Sequence, residues 1–235
     1  MKKFSHHYYN SLLKEADSKE GFVNGIDLRG SYLRELPDFF KDLRVAGRFD
    51  VSINQLTSCK NFPKFVGGVI NANDNKISSM EGLQYIGDNL LTMSKNPITS
   101  LEYLERFSGE LIYGLQFRKT KIESLKGIEN IPIKELLVSD NKLTTWDLIP
   151  GTVKHLEIYN NKLTSWKGMP KYLSRLLCSG NWDIVDFKDY EEVSYILEVS
   201  SSIFDRNTIL PYMRELGITP PIQAYVFDME LRRIF

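Results

Sequence analysis

Seven residues of this chain are written almost identically twice. Residues 140–146 read DNKLTTW and residues 160–166 read NNKLTSW. A fixed period of that size constrains a fold more than any other sequence feature. Each unit must be one structural element that is stable only when stacked on its neighbours. Aligning on the asparagine extends the pattern along the chain. Asn54, Asn75, Asn96, Asn141, Asn161 and Asn181 share one column, and Ser31 and Thr120 join it by their flanks. The steps from Ser31 onward are 23, 21, 21, 24, 21, 20 and 20 residues, which makes eight units.

Four apolar columns accompany the asparagine. Five residues before it stand Ile26, Phe49, Ile70, Leu91, Leu115, Leu136, Leu156 and Leu176. Three before it stand Leu28, Val51, Ala72, Met93, Phe117, Val138, Ile158 and Cys178. Two after it stand Leu33, Leu56, Ile77, Ile98, Ile122, Leu143 and Leu163, with Ile184 slipped by one in the last unit. Five after it stand Leu36, Cys59, Met80, Leu101, Leu125, Trp146 and Trp166. Apolar residues at alternate positions are one face of a short strand. One such strand cannot bury that face, but successive units pairing in parallel can. The chain must then turn sharply, and buried backbone groups lose their ladder partners. An asparagine amide, with two donors and an acceptor, is expected to satisfy them in its own unit and the next. Removing one is expected to cost about 1–3 kcal/mol. Thr120 and Ser31 carry only a hydroxyl, so looser turns are expected there.

The pattern L-x-x-L-x-L-x-x-N-x-L resembles the leucine-rich repeat family over residues 23–187. The resemblance implies an α/β horseshoe. Parallel strands would form a concave face, the convex side would be mostly irregular, and helices would cap both ends. The segments VGG, NKLTSW and EGL are similar to the short repeats of proteins encoded by tailed bacteriophages, and they also resemble the repeat arm of secreted bacterial effectors. VAGRFDVSINQLTS and FVGGVINANDNKISSMEGL make the phage likeness the closer.

Outside the repeats the reading is helical. In residues 1–22, Tyr8, Leu12 and Leu13 have near-helical spacing and Gly21 is a stop, which predicts an N-terminal cap. The region 188–235 reads as a C-terminal helical cap, where a stripe of Phe187, at its border, with Tyr190, Val193 and Leu197 predicts one helix. A second is expected over 208–216, stopped by Gly217, and a third after Pro220 and Pro221.

Bulk properties bound the function. The 235 residues carry 30 basic and 30 acidic side chains, so no global field collects nucleic acid or an anionic membrane. No apolar run approaches the ~18 residues of a membrane span, and the N-terminus lacks a secretory apolar region. A cytoplasmic protein is expected, in the host cytoplasm if the phage likeness holds.

Catalytic chemistry finds little footing. Cys59 and Cys178 are the only cysteines, and both fall in core columns where a small hydrophobe belongs. Some repeat-bearing effectors use a cysteine for ubiquitin transfer, with an acidic residue two positions on. Here Asn61 and Gly180 occupy those places, so that resemblance fails. His6 and His7 are neighbours and share no helix face. His155 with Glu157 reads as a solvated pair rather than an acid–base dyad. No metal-ligand spacing, phosphate loop or hydrolase motif occurs, and no cofactor is implied. Trp146 and Trp166 read as packing.

The remaining candidate is the solvent side of the strands, where the columns are not uniform. In the C-terminal half, Leu137, Tyr159 and Leu177 bring apolar and aromatic groups to a polar face. Arg118 and Arg175 flank them, with His155 and Glu157 between. Aromatic and arginine side chains are the usual interface anchors. The N-terminal half, with Asp27, Asp50, Asn71 and Asn73, looks weaker. Eight strands ~4.8 Å apart span roughly 35 Å, enough for a standard patch of ~800 Å². The expectation is a non-catalytic module that binds a host protein through its concave face, with inhibition as the effect. An enzyme whose residues sit in the tail (Asp186, Asp189, Glu191, Glu192) and a structural virion component are the alternatives. Nucleic-acid binding ranks last.

Overall fold

A computed structural model describes residues 6–18, 22–165, 167–170, 173–178, 180–181 and 197–198. It opens on helix α1 (His6–Ser18). Twelve short strands follow in the described residues: β1 (Phe22–Val23), β2 (Ile26–Asp27), β3 (Arg44–Val45), β4 (Phe49–Asp50), β5 (Phe65–Val66), β6 (Ile70–Asn71), β7 (Leu90–Thr92), β8 (Ile112–Gln116), β9 (Ile133–Leu137), β10 (His155–Glu157), β11 (Arg175–Leu177) and β12 (Leu197–Glu198). Two 3-10 helices, Asp38–Asp42 and Glu102–Phe107, lie in the connections.

The strands make a parallel solenoid. Nine of them form one sheet in the order β12-β11-β10-β9-β8-β7-β6-β4-β2. Its register is the sequence alignment itself. Ile26 pairs with Phe49, Phe49 with Ile70, Ile70 with Leu91, Leu91 with Leu115, and so on to Leu156 with Leu176. The two apolar columns five and three before the asparagine are buried throughout. The column two after it is buried except for Leu33, which is half-buried against the same core. Together these residues are one continuous cluster, as expected where no unit can bury its own face.

The asparagine column is buried and hydrogen-bonded. Asn75 Nδ2 donates to Ala72 O at 3.2 Å in its own unit and to Val51 O at 3.0 Å in the unit before. Its Oδ1 accepts from Leu56 N–H of that earlier unit at 3.0 Å. Asn54, Asn96, Asn141, Asn161 and Asn181 repeat the same set. The rung therefore links backward to the preceding unit, where the sequence reading pointed it forward. Thr120 breaks the ladder as its chemistry requires. Its Oγ1 faces Phe117 O of its own unit and Asn141 Oδ1, and it takes no amide of the earlier unit.

Two further columns shape each turn. The residue immediately before the ladder position has positive φ in every unit: Gly30, Ile53, Asp74, Lys95, Lys119, Asp140, Asn160 and Gly180. Four residues after the ladder position, Ser58, Ser79, Ser100, Ser124 and Thr145 each accept the N–H two residues on. Glycine is demanded in the EGL and KGI segments. A Cβ on Gly82 would lie 2.6 Å from Cys59 O, and one on Gly127 would lie 2.4 Å from Leu101 O. Both have positive φ as well.

A second sheet, β1-β3-β5, runs beside the first. Val23, Val45 and Val66 point into the core, and Phe22, Arg44 and Phe65 stand in register outside. The Arg44 guanidinium lies 4.7 Å from the Phe22 ring and 5.0 Å from the Phe65 ring, a cation–π sandwich. Helix α1 packs against β1 with Leu12 and Ala16 buried, one turn apart.

The ninth strand corrects the sequence reading at Leu197. That residue was expected on a helical stripe, yet it pairs with Leu176 and extends the sheet beyond residue 187. It stands 21 residues after Leu176, one repeat period on. Trp166, Ile184, the stretch 208–216 and the rest of 182–235 apart from 197–198 lie outside the described residues, as does Gly21.

Candidate interaction surface

The solvent face of the nine-stranded sheet is built from the columns six, four and two before the ladder. The backbone repeats there but the side chains do not, so each half satisfies its polar groups in its own way.

In the N-terminal half, side chains cap the amides that continue past the strand ends. Asp27 Oδ1 accepts from Arg29 N–H, Asp50 Oδ1 from Ser52 N–H and Asn71 Oδ1 from Asn73 N–H, at 3.1, 3.0 and 3.2 Å. Asn73 Oδ1 then takes Ser94 N–H at 2.7 Å in the next unit, and Ser94 Oγ takes Arg118 N–H at 3.1 Å. Asp50 is the centre of this half. It is buried, and it accepts from the Ser52 hydroxyl at 2.7 Å, Asn71 Nδ2 at 3.1 Å and Arg48 Nη2 at 2.6 Å. Burial opposes its ionisation, but the Ser52, Arg48 and Asn71 donors outweigh burial and hold its carboxyl below the ordinary range.

The C-terminal half uses charge across strands. Arg118 Nε and Nη2 both donate to Glu157 Oε2, at 3.0 and 2.5 Å. Arg118 follows β8 and Glu157 lies on β10, so the bridge passes over the intervening strand β9 and its continuation. Leu137 and Ser139 stand on that strand and are 2% and 0% exposed. His155 stands beside this bridge, between two carboxylates. Its Nε2 lies 3.4 Å from Glu157 Oε1 and its Nδ1 3.6 Å from Glu135 Oε2.

These placements sort the sequence candidates. Leu137 is corrected: it is buried on the sheet's solvent side, in the strand that the Arg118–Glu157 bridge spans, and is not an offered contact. Glu157 is buried and already paired, and His155 is half-buried between two carboxylates rather than solvated. Arg118 is half-buried and committed to Glu157. Tyr159 and Leu177 are likewise half-buried and Arg175 is exposed, on the adjacent strands β10 and β11 or the residues just after them. Ser179, of the same face, lies outside the described residues. The cysteines sit in the core, where burial pushes the Cys59 thiol well above its usual value and the Cys178 thiol up to about 12. Neither is a poised nucleophile.

Two features escaped sequence reasoning. The Arg118–Glu157 pair joins residues 39 apart, with no local signal. The Phe22–Arg44–Phe65 stack was findable, since its members precede each main strand by four to five residues. Among the described residues, no group of three His, Cys, Asp or Glu side chains could hold a metal ion, and no helix is long and apolar enough to cross a membrane. No protein-family model matches the chain, and no curated protein matches it.

Proposed function

We propose that this chain is a non-catalytic binding protein of the leucine-rich repeat type, gripping one protein partner with the solvent face of the nine-stranded sheet as its concave surface. The repeat pattern in the sequence and the parallel solenoid support the repeat type. The observation that carries the reading is the cluster of Tyr159, Leu177 and Arg175 on neighbouring rungs, each of which keeps accessible surface on this face. An aromatic, an aliphatic and an arginine side by side make the usual core of a contact surface. The paired Arg118 and Glu157 would hold that patch rigid, which lowers the ordering cost of association. On the phage likeness, the partner is a host protein or a component of host defence, held in the host cytoplasm and inhibited by occlusion.

The test is affinity capture from bacterial lysate with identification of the retained protein. Tyr159→Ala combined with Arg175→Glu should abolish capture while the folded signal is kept. Undiminished capture by that variant would assign the partner to another surface.

A further inference from the structure

One rim of the solenoid, where the chain turns at the ladder, has its own character. Backbone hydrogen bonds lock the residues before and after the ladder position into rungs. Ile53 N–H donates to Asn73 O, Lys95 N–H to Arg118 O and Lys119 N–H to Ser139 O. On the other side of the ladder position, Lys76 N–H donates to Leu56 O and Lys162 N–H to Leu143 O. Side chains of successive units therefore stand about 4.8 Å apart along the rim.

At its N-terminal end are Tyr32 and Ile53, the most exposed large hydrophobic residues described, at 54% and 57%. Both have positive φ, and Ile53 is the only β-branched residue described in that region. An isoleucine there is unfavourable twice over. Its branched side chain disfavours the backbone conformation, and its apolar surface faces water. Other rungs put Asp, Lys, Asn or Gly at the same position at less strain. A strained, exposed hydrophobe that the fold does not need points to a use outside the fold.

Beyond Ile53 the rim turns basic. In the positions flanking the ladder from Asp74 to Lys162 there are six lysines and two aspartates, although the chain as a whole is balanced. Lys95 and Lys142 are tied to Asp74 and Glu123. Lys76, Lys119, Lys121 and Lys162 are exposed and make no ion pair among the described residues.

We propose that this rim docks an acidic protein segment with an apolar residue at one end. The apolar residue seats on Tyr32 and Ile53, and the carboxylates run along the lysines. The apolar anchor offers nothing to a phosphate backbone, and the aspartates among the lysines disfavour one, so the geometry favours a protein segment over nucleic acid. This surface is separate from the sheet face, and its success or failure leaves that reading untouched.

The test is fluorescence anisotropy with three labelled probes. They are a peptide of alternating glutamate and glycine with a terminal leucine, the same peptide without leucine, and single-stranded oligothymidylate. The leucine peptide should bind at low salt and several-fold tighter than its control. Lys119→Glu with Lys121→Glu should weaken it roughly tenfold. Ile53→Asn should erase the advantage of the leucine while raising the unfolding midpoint, which separates loss of the anchor from loss of the fold. Tyr159→Ala with Arg175→Glu should leave peptide binding unchanged. No binding of the leucine peptide, binding indifferent to the lysine reversals or to Ile53→Asn, or tighter binding of oligothymidylate would each overturn the proposal.

Discussion

The two halves of the sheet's solvent face share a backbone and differ in how they close it. The N-terminal half reaches no further than the neighbouring strand. Asp27, Asp50 and Asn71 each take the amide two residues along their own strand, and Asp50 gathers its other donors from adjacent positions. The C-terminal half is long-range. Arg118 reaches over a whole strand to Glu157 and closes off Leu137 and Ser139 as it does so. The first arrangement stiffens single turns and ties each strand to the next. The second ties three strands together and leaves Tyr159, Leu177 and Arg175 at its border. A repeat fold thus obtains a non-repeating surface by changing which polar groups are paired locally and which across units.

The largest expected effect is common to both halves, and so calibrates them. Asn75→Ala and Asn141→Ala each leave buried carbonyls and an amide without partners, and each should cost about 2–4 kcal/mol in urea unfolding. Thr120→Ala should cost about 1 kcal/mol, because that hydroxyl makes no link to an amide of the earlier unit. Equal costs at all three positions would show that the rungs do not depend on their backward bonds.

The next effect tests the cross-strand half. Arg118→Met leaves the Glu157 carboxylate buried and without its main partner, and should cost roughly 2–3 kcal/mol. Adding Glu157→Leu should recover most of that loss, since the pair as a whole is close to neutral against apolar replacements. A double-mutant cycle reads the coupling directly. Additive losses would mean that the bridge covers Leu137 without any energetic link between its two ends.

The smallest effect belongs to the N-terminal half and appears only in acid. The Asp50 carboxyl is held below its ordinary range by Ser52, Arg48 and Asn71 despite burial, which raises it. Its contribution to stability is therefore present above the usual carboxylate pKa of about 4 and is lost as pH falls through the lower folded value. Asp50→Asn should flatten the acid limb of stability against pH and cost on the order of 1 kcal/mol near neutrality. An acid limb as steep as that of the unmodified chain would place the acid-sensitive carboxylate elsewhere.

Much of this was legible in the chain. The aligned columns named the buried residues from Ile26 to Cys178 and the sheet register, because a repeat encodes the same local geometry at every step. Leu197 was legible too, one period after Leu176, but the helical stripe it shares with Phe187, Tyr190 and Val193 competed with that signal. The ladder asparagines were recognisable by position and chemistry, though not the direction of their bonds.

The sequence by itself determined the period, the core columns and the polar rung. Each is a property of one unit that stacking merely copies, and spacing along the chain is enough to specify it. Only the tertiary structure decided which groups keep accessible surface. Leu137 and Glu157 sit in a column that reads as solvent-facing, yet they are buried, as are Asp50, Asn71 and Thr92 in the same column. Exposure is a sum over neighbours that are distant in sequence. No local pattern carries it.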